Sequence, residues 1–408
     1  MVLAAPPSLQ WSGLVQADAT WAQDSTNQRS DATGAPLNRD AFVLRRGRLR
    51  AEGTADLTAF VLEADFNTQN GAQAGLRQVE GAFQWAGAGA LEGLALRLGA
   101  GVVPMPFGHQ VAGERDADRL FTERAIFADA LFPGQLDVGA RAEVVWVPAG
   151  GDPSQSEETP GASYRLILAV QNGEPLGERT HPGVDPNAAK DLTGRIVVAA
   201  PLNAWLYLAG GLSALTGTGF HPGTTPTKER LVWRDLNEDG LVQTSEITAL
   251  PAAAGTPSSD FDRFALGADL RARVVLPVVG PLELAAEGVL ATNLDRSLRP
   301  ADPVLIGRDQ RALGGALALT QALGPVDVGV RLDVYAPALD RSEVRAGGTV
   351  RAEERFTAWT GAAGLRVPGG GRLVVEYQHL ADALGRDDAG IPQDLRNDTL
   401  RVRLQVER

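Results

Sequence analysis

The sequence predicts an all-β fold: a single sixteen-stranded antiparallel transmembrane β-barrel over residues 1–408, with short periplasmic turns and long extracellular loops. Three observations predict it. Apolar and polar residues alternate with a period of two, in segments of about ten residues, along the whole chain. Helical periodicity is hard to find, and the connections between segments alternate between short and long. Closing such a sheet into a barrel would leave no strand edge unpaired in lipid.

The first segment, residues 9–21, shows the alternation clearly. Its odd positions are apolar or small, whereas even positions such as Gln16 and Asp18 are polar. Trp11 and Trp21 share the apolar side, and their separation corresponds to roughly 25 Å of height for a strand that rises about 3.3 Å per residue at a tilt of about 40°. This spacing predicts one aromatic residue in each girdle of a membrane barrel.

The same alternation predicts strands along the rest of the chain. The most apolar stretch, Ile196–Leu215, is interrupted by Pro201 and Asn203, so it predicts a hairpin and not a membrane helix. Connections 54–56, 87–91, 201–203, 276–280, 322–324 and 367–371 are tight; connection 148–161 is the exception among the turns. The predicted spans are 9–21, 40–54, 56–66, 79–87, 91–101, 135–147, 162–172, 191–201, 203–214, 262–276, 280–292, 309–322, 324–335, 354–367, 371–381 and 397–407.

Composition argues against several classes of protein. The formal net charge of −12, from 38 Lys and Arg against 50 Asp and Glu, argues against a nucleic-acid partner. Cysteine is absent, which excludes disulfides and thiolate chemistry. Residues 1–7 lack a basic segment followed by an apolar one, so we expect a signal peptide to be missing or already removed. A soluble β-sandwich would also alternate, but this many strands with an apolar face would need two or more sandwiches.

Nine stretches in order, spread over nearly the full length, are similar to a known family. They are FVLRRGRLRAEG (42–53), LGAGVVPMPFG (98–108), the pair Glu123 and Arg124, FPGQLDVGAR (132–141), VQNG (170–173), DPNAAKDLTGR (185–195), LGADLRARV (266–274), RLDVYAP (331–337) and LVVEYQ (373–378). In these stretches the chain resembles the phosphate-selective porins (porin O/P type) of the bacterial outer membrane. The resemblance implies a homotrimeric sixteen-stranded porin whose third loop, here 102–134, folds into the lumen as a constriction.

Arginines recur on the polar side of the predicted strands. A lipid-facing arginine near the membrane midplane would cost about 2–4 kcal/mol, so these side chains should face the water of the lumen. There they could bind and pass anions. Alternatively they pair with inward carboxylates and stiffen a wide, weakly selective pore; those acids are Glu52, Glu63, Asp65, Glu143, Asp269, Glu283, Glu287 and Asp333. The candidate lumen arginines are Arg46, Arg48, Arg50, Arg97, Arg141, Arg165, Arg195, Arg271, Arg273 and Arg331.

Residues 235–246 reproduce D-x-N-x-D-G-x5-E, the pattern of an EF-hand calcium loop. Gly240 at the sixth position permits the sharp turn that brings the ligands together. Strand parity places the surrounding loop, 215–261, outside the cell, where Ca²⁺ would have the structural role of ordering it. The alternative is a solvated acidic turn that matches by chance. The candidate ligands are Asp235, Asn237, Asp239, the Leu241 carbonyl and Glu246.

Catalytic patterns find little support. The four histidines lie far apart without metal spacing, and Ser213 does not lie in a G-x-S-x-G motif, so we expect no enzymatic activity. Trp205, Tyr207, Phe264 and Tyr335 are expected in the aromatic belts. We expect a porin that passes small anionic or general hydrophilic solutes by diffusion, and whose other partners are outer-membrane lipid and lipopolysaccharide. The resemblance implies phosphate as a candidate solute. In the alternative, the barrel is an anchor that presents the calcium-ordered loop for adhesion or to a partner protein.

Overall fold

A single closed barrel dominates the structure. The computed structural model describes residues 7–24, 35, 37–69, 71–148, 162–174, 185–234, 240–345, 348–351, 354–382, 384–386 and 392–408. Sixteen strands pair antiparallel in chain order, and the last pairs with the first, which confirms the predicted fold class. They are β1 (Ser8–Ala22), β2 (Ala41–Ala55), β3 (Thr58–Asn67), β4 (Gln73–Ala86), β5 (Leu94–Pro104), β6 (Leu136–Trp146), β7 (Ser163–Gln171), β8 (Asp191–Pro201), β9 (Leu206–His221), β10 (Ser259–Leu276), β11 (Gly280–Thr292), β12 (Arg311–Leu323), β13 (Val326–Ala336), β14 (Phe356–Val367), β15 (Gly371–Asp382) and β16 (Thr399–Glu407).

The strand bounds differ from the predicted ones where hydrogen-bond pairing continues beyond the residues that alternate between apolar and polar. β4 begins at Gln73 and not at residue 79, because a bulge at Arg77 lets its pairing with β3 continue. The predicted loop 102–134 is observed as 105–135, since β5 extends to Pro104 and β6 starts at Leu136.

The loop between β9 and β10 is also shorter than predicted. Ser259 pairs with His221, so the ladder of these two strands continues beyond the apolar belt and the loop spans 222–258 rather than 215–261. Three small hairpins lie in the loops: Arg230–Trp233 with Ile247–Leu250, Ser342–Arg345 with Gly348–Arg351, and Gly385–Arg386 with Pro392–Gln393.

Helical elements are short. They are α1 (Ile126–Leu131), α2 (Pro303–Ile306), a π-helical turn at Gly108–Gly113, and 3-10 turns at Gly89–Leu91 and Thr244–Glu246. In the described part of the chain, no helix is long and apolar enough to cross a bilayer.

The outer surface of the barrel is an apolar belt with aromatic borders. Trp11 and Trp21 expose 62% and 45% of their surface, as their shared outward parity predicts. At the end of the barrel that carries the short turns, Trp146 and Tyr164 stack with ring centroids 5.1 Å apart. Aromatic rings at both heights are typical of a barrel that spans a bilayer.

Of the four other aromatic residues that we expect in the belts, two lie elsewhere. Trp205 and Phe264 are exposed on the outer surface, as expected. The prediction is wrong for Tyr335, which is fully buried inside the barrel and donates a hydrogen bond to Asp295 at 2.6 Å. It is also wrong for Tyr207, which lines a cavity in the lumen. Both have inward parity on their strands, and parity decides the side that a strand residue faces.

Residues 105–135, the inserted loop, fold into the barrel. Phe107, Phe127, Leu131 and Phe132 expose no surface, and the rings of Phe107 and Phe132 lie 4.6 Å apart. The lumen on this side is therefore an apolar core and not the polar surface that strict alternation predicts. The loop packs there against inward-facing apolar side chains of β9 to β14: Leu215, Ala265, Val289, Ala291, Ala312, Tyr335 and Phe356.

Candidate permeation site

Two β-bulges turn arginines into the lumen that strand alternation assigns to the lipid. On β2, Gln16 of β1 pairs with Arg46 but Ala17 pairs with Leu44, so Arg45 is the extra residue. On β4, Arg77 is extra in the same way. A bulge leaves one residue unpaired and re-aims its side chain. Arg45 and Arg77 thereby join the predicted arginines of β2, although sequence reasoning did not find them.

Asp116 of the inserted loop lies among four guanidinium groups. Its Oδ2 is 2.6 Å from Nη1 of Arg48 and 3.4 Å from Nε of Arg46. Nη2 of Arg77 lies 3.8 Å from Oδ2, and Nη2 of Arg119 lies 3.1 Å from Oδ1. Burial opposes ionisation, but the positive charges outweigh it and hold the pKa of Asp116 well below its usual range. The ionised carboxylate ties the loop to β2 and β4.

Glu123 makes a second attachment of the loop, between β2 and β16. Its Oε1 lies 2.7 Å from Nε of Arg45 and 3.2 Å from Nη2 of Arg403, and its Oε2 lies 3.5 Å from Nη2 of Arg46. Burial opposes the charged form here too, but Arg46 and Arg45 lower the pKa of Glu123. Arg46 therefore contacts both loop carboxylates, Asp116 and Glu123.

The backbone of the inserted loop is held by arginine side chains of β13, β15 and β16. Arg331 donates to the Glu123 carbonyl at 2.7 Å, Arg403 to the Thr122 carbonyl at 2.6 Å, and Arg372 to the Arg119 carbonyl at 3.0 Å. Such carbonyls, outside regular secondary structure, need partners when buried. The arginines of β13, β15 and β16 therefore fix the position of the loop in the lumen.

A row of ion pairs crosses the wall of β4 to β7. Nη2 of Arg97 lies 3.0 Å from Oε1 of Glu80, which also lies 3.7 Å from Nε of Arg141. Arg141 and Arg165 then share Glu143, each at 3.2 Å. The row alternates three guanidinium groups with two carboxylates, so these five side chains together carry one more positive than negative charge. Its arginine side chains retain 17–25% exposure, which leaves them accessible to water in the lumen.

The structure places the ten predicted arginines on the inner side of the barrel wall but mostly in ion pairs. Arg50 contacts Glu52 and Glu63, Arg195 contacts Asp269, and Arg331 contacts Asp333 at 2.9 Å. Arg46, Arg48, Arg97, Arg141 and Arg165 make the pairs described above. Six of the ten pair with carboxylates that the ion-pairing alternative names, Arg97 pairs instead with Glu80, and Arg46 pairs with the two loop carboxylates. Arg271 and Arg273 line a cavity.

That cavity, of about 650 Å³, lies between the inserted loop and the wall near the short turns. It is lined by residues of both charges, among them Arg271, Arg273 and Glu283, and by Tyr207 and Thr320. The mixed lining suits water and hydrated solutes more than an apolar ligand.

His109 on the inserted loop provides a test of the seating of the loop. It is almost fully buried, and burial together with the charges of Arg271, Arg195 and Arg119 holds its pKa well below the usual value of 6.5. Glu287, the neighbouring carboxylate, accepts a hydrogen bond from the Gln110 amide at 2.9 Å.

Acidification is therefore expected to weaken the seating of the loop. When the loop is outside the lumen, His109 binds a proton near pH 6.5; when the loop is packed in the lumen, it does not. The free energy that favours the packed loop is therefore fully present above pH 6.5 and decreases as the pH falls below it. Limited proteolysis of the folded protein between pH 7.5 and 5 should show increasing cleavage within 105–135. His109→Gln should remove this dependence, and an equal dependence in that variant would contradict the assignment to His109.

The described part of the EF-hand-like segment forms a closed hairpin. Trp233 pairs with Ile247, and the Arg234 amide donates to the Glu246 carbonyl at 3.2 Å, so the residues that flank the loop are adjacent. Gly240 has a φ of +72°, which is the left-handed conformation that a sharp turn at the sixth position needs. Asp235, Asn237 and Asp239 lie outside the described residues.

Glu246, the last predicted ligand, is buried at 5% exposure in an otherwise exposed hairpin. Its carboxylate accepts hydrogen bonds from Nε1 of Trp233 at 3.2 Å and from the Gln243 amide at 3.3 Å. The latter belongs to a capping box that holds the Thr244–Glu246 turn.

Together, the closed sixteen-stranded barrel, its apolar outer belt and the loop inside its lumen define the architecture of outer-membrane porins. Solved structures of such proteins share the fold over nearly the full length. OprB of Pseudomonas putida matches with a TM-score of 0.55 and 11% identity, over 99% of this chain and 94% of that one. An anion-selective porin of Comamonas acidovorans matches with a TM-score of 0.54 and 14% identity, over 98% and 99%.

OmpT of Vibrio cholerae, in its trimer form, matches with a TM-score of 0.53 and 9% identity, over 99% of this chain and 100% of that one. At these identities the likeness shows the fold alone. No protein-family model and no curated protein sequence matches the chain.

Proposed function

We propose that this chain is a porin of the bacterial outer membrane that lets small hydrophilic solutes diffuse passively through its lumen. The observation that carries the proposal is the inserted loop, which narrows a closed barrel and is pinned to its wall by Asp116, Glu123 and wall arginines. A loop that crosses a lumen gives a constriction, while the apolar outer belt suits lipid. The short turns would then face the periplasm and the long loops, with lipopolysaccharide beside them, the exterior.

A modest preference for anions is part of the proposal. The row of Arg97, Arg141 and Arg165 with Glu80 and Glu143 has a positive surplus in water, so it favours anions near the constriction. The similarity to an anion-selective porin in fold supports the same direction. Phosphate is the anion to try first, given the sequence resemblance, and a homotrimer is the assembly that the trimeric fold relative favours.

Conductance in planar bilayers tests the proposed function. The refolded protein should give steady, discrete current steps in potassium chloride, and the reversal potential under a salt gradient should have the sign of anion preference. A heat-unfolded sample of the same preparation serves as the control. Absence of steady current from correctly folded protein would refute the porin proposal, and a cation preference would refute the role of the arginine row.

The second candidate function is a membrane anchor that displays a calcium-ordered loop for adhesion or to a partner protein. The hairpin that brings Arg234 next to Glu246, together with the positive φ of Gly240 at the sixth position of the motif, favours it. We propose Ca²⁺ ligation by Asp235, Asn237, Asp239, the Leu241 carbonyl and Glu246. An anchor with a closed lumen would pass no current, so the bilayer measurement separates the two functions.

Calcium binding is expected in calorimetric titration of the folded protein, with an affinity between about 10⁻⁷ and 10⁻³ M. Asp235→Ala should abolish the binding heat, and so should Asp235→Ala combined with Glu246→Ala. Glu229→Ala, an acidic residue of the same loop outside the motif, should bind as the unaltered chain does. If Asp235→Ala gives the same heat of calcium binding as the unaltered chain, the segment is a solvated acidic turn and not a calcium site.

A further inference from the structure

The carboxylate partners of Arg45 and Arg46 come from the inserted loop, although both arginines belong to the barrel wall. Arg46 pairs with Asp116 and Glu123, and Arg45 pairs with Glu123. Among the described residues, neither arginine has a wall carboxylate within ion-pair distance. The loop thus supplies the carboxylate partners that this part of the wall lacks.

The neighbouring arginines have wall partners and still contact the loop. Arg48 lies 3.3 Å from Asp65 and 3.8 Å from Glu63, yet its shortest ion pair, 2.6 Å, is with Asp116. Arg77 contacts Glu63 through Nη1, and its Nη2 donates a hydrogen bond to Gln135 at 3.1 Å and lies 3.8 Å from Asp116. The side chains of Arg46, Arg48 and Arg77 are 11–23% exposed, so the cluster borders the water of the lumen and is not sealed in a core.

From this geometry we propose that Arg46, Arg48 and Arg77 form a binding site for the carboxylate of a permeating solute, which Asp116 of the inserted loop occupies in the resting channel. The site rests on the proposed porin function. Its ligand class follows from its occupant: Arg48, Arg46 and Arg77 lie 2.6, 3.4 and 3.8 Å from Oδ2 of one carboxylate, and Arg119 of the loop lies 3.1 Å from its other oxygen. Guanidinium groups favour carboxylates as partners because the contacts between them are charge-assisted. A small carboxylate solute must therefore compete with the carboxylate of Asp116, which is attached to the channel itself.

The side chain of Asp116 competes at a high effective concentration because it is attached to the same chain. Removing it should expose the site to external anions. Asp116→Ala is therefore expected to bind succinate, the probe, about tenfold or more tightly than the unaltered chain does. In bilayers, succinate should block the chloride current of this variant in a saturable way.

Asp118→Ala is the matched control. Asp118 lies on the same loop two residues away and contacts only Arg115 among the described ion pairs, at 3.5 Å, so its loss should not change succinate binding. Arg46→Gln in the Asp116→Ala background should return the affinity to that of the unaltered chain, because the wall arginines and not the loop make the site.

Calorimetry in detergent and block in bilayers are both measured, so the two proposals fail separately. Binding without current would refute the porin function and leave the carboxylate site intact. Current without gained succinate binding in Asp116→Ala would overturn the site, as would an equal gain in Asp118→Ala or a gain that survives Arg46→Gln.

If Asp116→Ala and Asp116→Asn both fail to fold even with succinate in the refolding buffer while Asp118→Ala folds, Asp116 is a structural counter-ion and the site is overturned. A block by phosphate equal to that by succinate would overturn the carboxylate class.

Discussion

Replacing Phe127 with aspartate is expected to release the inserted loop from the barrel wall and to raise the single-channel conductance severalfold. Phe127 exposes no surface, and it packs where the wall has a glycine: a Cβ on Gly314 would lie only 2.3 Å from the Phe127 Cβ. Loss of a buried phenylalanine side chain costs about 3–5 kcal/mol, and an unpaired buried carboxylate adds to that cost. The barrel itself should persist, because its strand pairing does not involve Phe127.

The conductance of this variant in planar bilayers provides the measurement, with far-UV circular dichroism to confirm the folded barrel. Phe264→Ala is the matched control, since it removes the same kind of side chain from the lipid-facing surface, where Phe264 is exposed. Its conductance should equal that of the unaltered chain. A folded Phe127→Asp barrel with unchanged conductance would show that the loop does not limit the current.

The barrel could be predicted from sequence because two solvents act on opposite sides of every strand. Lipid requires apolar side chains on one side and the lumen accepts polar ones on the other, so a period of two marks the strands directly. All sixteen strands are found where alternation predicts them, with bounds that shift by up to seven residues. The pairing of β1 with β16 follows from closure and needs no further signal.

The two bulges could not be predicted from alternation. Arg45 lies beside Arg46, and a pattern of alternating sides assigns one of them to lipid. The cost of an arginine in the bilayer is the one available signal: two consecutive arginines, or an arginine on the apolar parity as at Arg77, indicate a bulge. The rule would have found both positions.

The sequence does not predict how the inserted loop packs in the lumen, and the reason is a different one. Wall positions such as Leu215, Val289 and Tyr335 have inward parity and yet are apolar, because a loop far away in sequence covers them. Strand alternation reports only on the two solvents of an open barrel. Apolar residues on both sides of β9 to β14 were a signal that something packs inside, but not that residues 105–135 do so.

The second large effect is expected on ion selectivity. Glu80→Gln combined with Glu143→Gln removes both carboxylates from the row of Arg97, Arg141 and Arg165, so its net charge rises from one positive unit to three. A unit charge about 8 Å from a mobile ion changes the energy of that ion by about 0.5 kcal/mol in a water-like dielectric, and each lost carboxylate acts in opposite senses on anions and cations. The ratio of anion to cation permeability should therefore rise on the order of tenfold for the double variant, and less at high salt because of screening.

Reversal potentials under a potassium chloride gradient at low ionic strength measure this ratio. Arg141→Gln, at the centre of the same row, should shift the potential in the opposite direction, since it removes the positive surplus. Asp340→Asn is the matched control: it neutralises a carboxylate that pairs with the exposed Arg311 at the loop end of β12, outside the lumen, and should leave the reversal potential unchanged. If Glu80→Gln with Glu143→Gln shifts the potential no more than Asp340→Asn does, ions do not pass along the wall of β4 to β7, and the row does not set the selectivity.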